Sequence, residues 1–210
     1  MKPHEIEAKS FAIIDAEACP HNFAPDEWKI VRRMIHTTAD FEYMQMVRIS
    51  INAVAAGIKA IRNGCTVITD TNMAKTGIRK DLLAGFGSRC ECLMADPRVA
   101  EQATERGVTR ARVAVEKAAQ IMENGIYVVG NAPTALLHLL DMIHNKAANP
   151  ALVVGLPVGF VNAAESKAAL VETKIPYISN VGRKGGSNVA ASVINALALI
   201  AKDKVAGERT

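Results

Sequence analysis

A chain of 210 residues is enough for one α/β domain with a substantial core and falls short of two ordinary domains. Half of it is apolar but only 4% aromatic, so Ala, Val, Ile, Leu and Met must fill the interior, as suits helices packed on a parallel sheet. The formal charge of +4 comes from 25 basic and 21 acidic residues with no aromatic-interleaved basic run, which argues against nucleic acid and for a small polycarboxylate or phosphate ligand.

No stretch reaches the roughly 18 consecutive apolar residues of a membrane span. The opening Met1-Lys2-Pro3-His4-Glu5-Ile6-Glu7 is too acidic and broken for a signal peptide, so a cytoplasmic protein without membrane attachment is expected. Cys19, Cys65, Cys90 and Cys92 lack metal-finger spacing and are expected as reduced, structural thiols, with Cys90 and Cys92 on one side of a strand.

In chain order, Ile6, Phe11, Ile13 and Ile14 among alanines predict a helix over 5–18, ended by Cys19-Pro20. A second helix begins at Pro25-Asp26-Glu27, where proline fits the first turn and acids suit the dipole, and it aligns Trp28, Val31 and Ile35 on one stripe. Thr37, Thr38 and Asp40 weaken its continuation, which puts His36 in the last turn or just past it.

From there β-branched runs alternate with Ala-rich helical runs. Strands are expected at 44–49, 66–69, 89–94, 126–129, 152–155 and 177–179, and helices at 51–62, 97–106, 110–123, 133–144, 163–172 and 188–202. This alternation predicts a three-layer α/β/α fold with a doubly wound, mostly parallel sheet, as a single domain over 1–210. Ligands of such folds bind beyond the carboxyl ends of the strands. There the chain carries Thr69-Asp70-Thr71-Asn72-Met73, Gly130-Asn131-Ala132-Pro133-Thr134, Gly155-Leu156-Pro157-Val158-Gly159-Phe160 and Asn180-Val181-Gly182-Arg183-Lys184-Gly185-Gly186-Ser187.

The last of these loops is an anion-site candidate, because a Gly-rich turn opening a helix offers N–H groups and Arg183 and Lys184 add charge; the alternative is a solvated turn with two exposed cations. It lacks the spacing of a P-loop, and no dinucleotide fingerprint follows the first strand. At a helix C-terminus, His36 is placed to deliver a proton near neutral pH, although a lone histidine there is more often structural. His138 and His144 read as an ordinary helix face. Asp70 and Asn131, at strand ends, either hold a ligand or cap the next helix. Arg110 and Arg112 open a helix where acids are preferred, which a bound carboxylate explains and a plain surface position also tolerates.

Ser10-Phe11-Ala12-Ile13-Ile14, Arg33-Met34-Ile35-His36, the Gly130 to Leu136 run, Gly155-Leu156-Pro157-Val158-Gly159-Phe160-Val161-Asn162-Ala163-Ala164-Glu165-Ser166-Lys167 and Gly182 to Ser187 together resemble the precorrin-8X methylmutases, in order from about residue 10 to 199. The resemblance implies a homodimeric α/β isomerase of corrin biosynthesis that moves a methyl group from C11 to C12 of a tetrapyrrole by a 1,5-sigmatropic shift. It implies no redox cofactor and no resident metal. The family's catalytic histidine matches His36, which would protonate the macrocycle; its arginine after threonine matches Arg110, and its early serine matches Ser10.

Arg183, Lys184, Arg110 and the helix N-termini would meet the substrate's carboxylates, with Asp70, Asn131, Gly185, Gly186 and Ser187 beside them. Glu7-Ala8-Lys9-Ser10 lacks the tyrosine that aerobic members can carry before the serine, which removes a phenolic contact. The Asp70 to Ala74 and Arg183 to Asn188 stretches are more similar to the anaerobic branch, which implies cobalt-precorrin-8 converted to cobyrinate rather than metal-free precorrin-8X to hydrogenobyrinate. Two other readings compete: a phosphate- or nucleotide-binding enzyme using the Gly182 to Ser187 loop, and a non-catalytic corrinoid carrier that would not need His36.

Overall fold

The computed structural model describes residues 2–207. Helix α1 (Pro3–Glu17), α2 (Pro25–Thr38) and the single turn α3 (Tyr43–Met46) lead to strand β1 (Val47–Ile49) and α4 (Ala53–Arg62). Then follow β2 (Thr66–Thr69), α5 (Asn72–Gly77), α6 (Lys80–Ala84), β3 (Arg89–Glu91), α7 (Pro97–Arg106), α8 (Arg110–Ala119) and β4 (Ile126–Val129). The chain closes with α9 (Pro133–His144), β5 (Leu152–Gly155), α10 (Ala163–Val171), β6 (Tyr177–Asn180) and α11 (Ser187–Gly207).

Among the described residues the strands form one six-stranded sheet in the order β1-β6-β5-β4-β2-β3. All neighbours are parallel except β1, which runs antiparallel on β6. Alternate side chains serve opposite faces: Val67, Val128, Val154 and Ile178 join a core with α1, α2, α4, α6 and α11, while Ile68, Tyr127, Val129 and Val153 join one with α8, α9 and α10. This is the expected three-layer fold. The strands β2, β4, β5 and β6 are buried along their whole length, which is why they read as unbroken apolar runs.

Two strand expectations need correction. Residues 44–46 close a helical turn through Met44 N–H to Phe41 C=O and Met46 N–H to Glu42 C=O, both 3.0 Å, and pairing begins only at Val47, opposite Asn180. At the other edge β3 stops at Glu91, where its register with β2 ends, so Cys92 lies outside the strand. The short α5 and α6 between β2 and β3 were not expected at all.

The chain leaves β2 for β3 on one side and returns across β2 to β4 on the other. The carboxyl ends of β2 and β4 therefore flank the switch point, the place where doubly wound sheets bind ligands. Asp70 follows β2 there, and the Gly130 to Ala132 turn follows β4.

Candidate active site

His36 owes its place to how α2 begins and ends. Pro25 opens the helix and the Ala24 N–H donates to the Glu27 carboxylate at 2.9 Å. Ile30, Val31, Met34 and Ile35 are buried, leaving His36 exposed one position past that stripe. The Thr37 and Thr38 hydroxyls donate back to the Arg33 and Met34 carbonyls at 2.9 and 2.8 Å, and Ala39, at φ 53°, stops the helix in the left-handed region. The imidazole thus stands in the last turn of α2. At the far end of α2, Asp26 pairs with Lys204 of α11 at 2.8 Å, so the two helices are antiparallel and His36 lies at the end where α11 begins.

Helix α1 lies on α2 and covers one side of the histidine. Asp15 accepts from Trp28 Nε1 at 2.9 Å and from Arg32 at 2.5 Å, and Glu7 pairs with Arg33 at 3.0 Å. Between these anchors the Phe11 ring sits 5.1 Å from the His36 ring, with Arg32 and Arg33 over it at 4.4 and 5.0 Å. Ser10, next to Phe11, donates its hydroxyl proton to the Ile6 carbonyl at 2.9 Å and keeps its lone pairs available.

At the switch point Asp70 is 3% exposed and accepts the N–H groups of Gly130, Asn131 and Ala132, each at 2.8 Å. Burial pushes this carboxyl up while the three donors pull it down. The N–H donors, not an Asn131 side-chain cap, fix the turn, since Ala132 occupies the N-cap of α9. Thr71 caps α5 through the Ala74 N–H at 3.1 Å and shares a 2.8 Å hydrogen bond with Ser187. A Cβ on Gly130 would fall 2.7 Å from the Ser187 Cα, so the start of α11 rests on this turn. The crevice that holds phosphates in nucleotide-binding sheets is filled here by the protein's own contacts.

The loops after β5 and β6 are fastened together. Gly186 N–H donates to the Leu156 carbonyl at 2.9 Å and Gly159 N–H to the Arg183 carbonyl at 3.2 Å. Gly185 lies so close that a Cβ would meet the Leu156 and Pro157 carbonyl oxygens at 2.3 and 2.7 Å. Outward from this seam stand Val158, Phe160 and Val161, the last two 84% and 77% exposed, with the Arg183 guanidinium 5.4 Å from the Phe160 ring centre. Lys184 instead reaches back to Asp40 at 2.5 Å and Glu42 at 2.7 Å, and its ammonium holds the Asp40 carboxyl below its usual range. Arg110 is exposed at the first position of α8, which also starts at the carboxyl end of the sheet, and forms no ion pair among the described residues.

The Precorrin-8X methylmutase family model matches residues 5–200. The chain belongs to this family. It is 48% identical over 202 residues to the cobalt-precorrin-8 methylmutase of Salmonella typhimurium, covering 93% of this chain and 94% of that one. It is 43% identical to the cobalt-precorrin-8 methylmutase of Leptospira interrogans, covering 97% and 96%. The solved structure of precorrin-8x methyl mutase from Thermus thermophilus superposes with a TM-score of 0.90 at 46% identity, over 96% of this chain and 97% of that one. Family membership makes the chain an isomerase of cobalamin biosynthesis, as the sequence motifs imply.

In this methylmutase, one end of the sheet carries an exposed imidazole, an exposed apolar ledge and, on the β6–α11 loop, a guanidinium without an ion pair among the described residues. Of the residues singled out by sequence, His36, Ser10, Asp70, Asn131, Arg110, Arg183, Gly185, Gly186 and Ser187 all fall at this end. The Asp70 oxygens and the Lys184 ammonium are already engaged within the protein. Sequence reasoning passed over Phe11 as a partner of His36, Phe160 as a partner of Arg183, and Lys167. Lys167 left one usable signal: it falls on the inward stripe Ala163, Ser166, Lys167, Leu170 of α10. The cysteines are all free; burial pushes the Cys90 thiol up to about 11, away from reactivity.

Proposed function

We propose that the chain isomerises cobalt-precorrin-8 to cobyrinate by moving the C11 methyl to C12, with His36 donating the proton that favours migration. The observation that carries this reading is the placement of His36: exposed, in the last turn of α2, at the end of the sheet that also carries the apolar ledge and Arg183. Phe160, Val161 and Val158 suit the flat face of the macrocycle, while Arg183 and Arg110 suit its carboxylates.

A methyl shift leaves composition and oxidation level unchanged, so the reading calls for no redox cofactor, and the cobalt belongs to the substrate. Relatives named cobalt-precorrin-8 methylmutase, those of Salmonella typhimurium and Leptospira interrogans among them, support the cobalt-bearing form. A second copy of the chain would cover the open side of the site, since an exposed ledge of this kind suits a ligand or a partner; we therefore propose a homodimer. No helix among the described residues is long and apolar enough to cross a membrane, and we propose a cytoplasmic location.

The test is incubation with cobalt-precorrin-8 and, separately, metal-free precorrin-8X, following the visible spectrum. Wild type is expected to convert the cobalt form faster. His36→Ala is expected to bind the product with near wild-type affinity while losing about a hundredfold or more in rate. Near wild-type turnover by that variant would remove the proton-donor role, and conversion of neither substrate by wild type would remove the reading itself.

A further inference from the structure

We infer that Lys167 is the positioning residue of the β6–α11 loop: lying beneath it, the lysine fixes the backbone that presents Arg183, Gly185 and Gly186 to the substrate. The inference rests on the proposed function for what the loop presents, and on geometry alone for what holds it.

Lys167 is 0% exposed. Its place on the stripe Ala163, Ser166, Lys167, Leu170 is one that the pattern of i, i+3, i+4 and i+7 gives to an apolar side chain. Its ammonium donates to the Lys184 carbonyl at 2.6 Å and to the Asn180 side-chain oxygen at 3.2 Å. Asn180, also 0% exposed, turns its amide nitrogen to the same Lys184 carbonyl at 2.9 Å and to the Val181 carbonyl at 3.1 Å. One carbonyl is thus gripped from two elements, the helix after β5 and the end of β6.

Among the described residues no carboxylate lies within ion-pair distance of Lys167, and burial without one lowers its pKa to about 8. A leucine or methionine would fill a similar volume without desolvating an amine. What the amine adds is the direction of the Lys184 carbonyl. Drawn inward, that carbonyl sends the Lys184 side chain out to Asp40 and Glu42 and sets Arg183 above Phe160. It also lays Gly185 on the Leu156 carbonyl, where no side chain fits. The loop is thus held from below as well as at its glycines, Gly182 at φ 78° and Gly186 at φ 130°.

Lys167→Met tests this in two ways. In the free protein, amide exchange over residues 181–187 should quicken about tenfold or more. With cobalt-precorrin-8, KM should rise about tenfold while kcat stays within about threefold, because Lys167 touches no reacting atom. A control of matched thermal loss elsewhere in the core that α8 shares with α10, Val115→Ala, should change neither. Asn180→Ala removes the other half of the grip and should reproduce both effects if Lys167→Met does not fold. Unchanged loop exchange in a folded variant would overturn the positioning role. Faster exchange with unchanged KM would show that the loop is held as described but does not present groups to the substrate. Wild type that converts no corrinoid would count against the proposed function alone, since the exchange readout needs no ligand.

Discussion

The Phe11 ring stands 5.1 Å from the imidazole of His36 and is tilted 59° to it, so the histidine is held from the side by a helix that belongs to no strand connection. The same ring carries two arginines and lies between the Glu7–Arg33 and Asp15–Arg32 ion pairs that join α1 to α2. Phe11→Ala should therefore cost more in turnover than in stability. We expect a loss of about 1–2 kcal/mol in unfolding free energy for a half-buried ring, and about tenfold in kcat from a freed imidazole. Chemical denaturation and single-turnover rates measure the two; an unchanged kcat would show that α1 merely covers α2.

Arg183 and Lys184 are neighbours in sequence with opposite situations. Arg183 lies over the Phe160 face and forms no ion pair among the described residues, whereas Lys184 is occupied by Asp40 and Glu42. Arg183→Ala is expected to weaken cobyrinate binding about tenfold, more at low salt than at high salt. Lys184→Ala should stay within about threefold, as its pair is exposed and worth little. The double change Asp40→Asn with Glu42→Gln frees Lys184 and distinguishes the roles. If the lysine is a carboxylate ligand held in reserve, affinity rises; we expect it to remain level or fall.

Much of the architecture was legible because the four central strands are buried on both faces and advertise themselves as β-branched runs; 66–69, 126–129, 152–155 and 177–179 agree with the observed bounds to within a residue. The outer strands were overextended because an edge strand is paired on one side only, and the length of its partner, not its own composition, sets where it stops. The helices α5 and α6, of 6 and 5 residues, are too short to show a period. In the site, His36 and the Gly-rich loop announced themselves by local chemistry. The contacts that decide how these residues work did not, since Asp70 meets Gly130 across 60 positions and Lys184 meets Asp40 across 144.

Glu116 gives the sheet's other face a measurable acid sensitivity. It receives Arg106 at 2.5 Å, Arg112 at 3.4 Å and His138 at 3.1 Å, tying α7 and α9 to α8. The Arg106 guanidinium is the main cause that holds its pKa down to about 2. A carboxyl depressed in the folded state stabilises above its unfolded pKa, and that stability disappears as pH falls from about 4.5 to about 2. Because the group is a quarter exposed, we expect about 1 kcal/mol at stake. Unfolding free energies of wild type and Glu116→Gln should therefore differ at pH 6 and converge near pH 2; parallel curves would contradict the assignment.

The seam between the β5 and β6 loops supplies the sharpest steric test. Gly185 lies on the Leu156 and Pro157 carbonyls, at separations no Cβ can tolerate, and neither oxygen belongs to a side chain that can swing aside. Gly185→Ala must lift the β6–α11 loop away from the β5 loop. It would stretch the Gly186 to Leu156 hydrogen bond and part Arg183 from Phe160. The cost should be about 1–3 kcal/mol of stability, typical of forced overpacking. Cobyrinate affinity should fall by about tenfold or more, because the ledge and the cation would no longer face the ligand together. Titration of the visible corrin band against wild type and Gly185→Ala reads this directly. Wild-type affinity in a folded Gly185→Ala protein would mean that substrate recognition does not depend on the seam between the two loops.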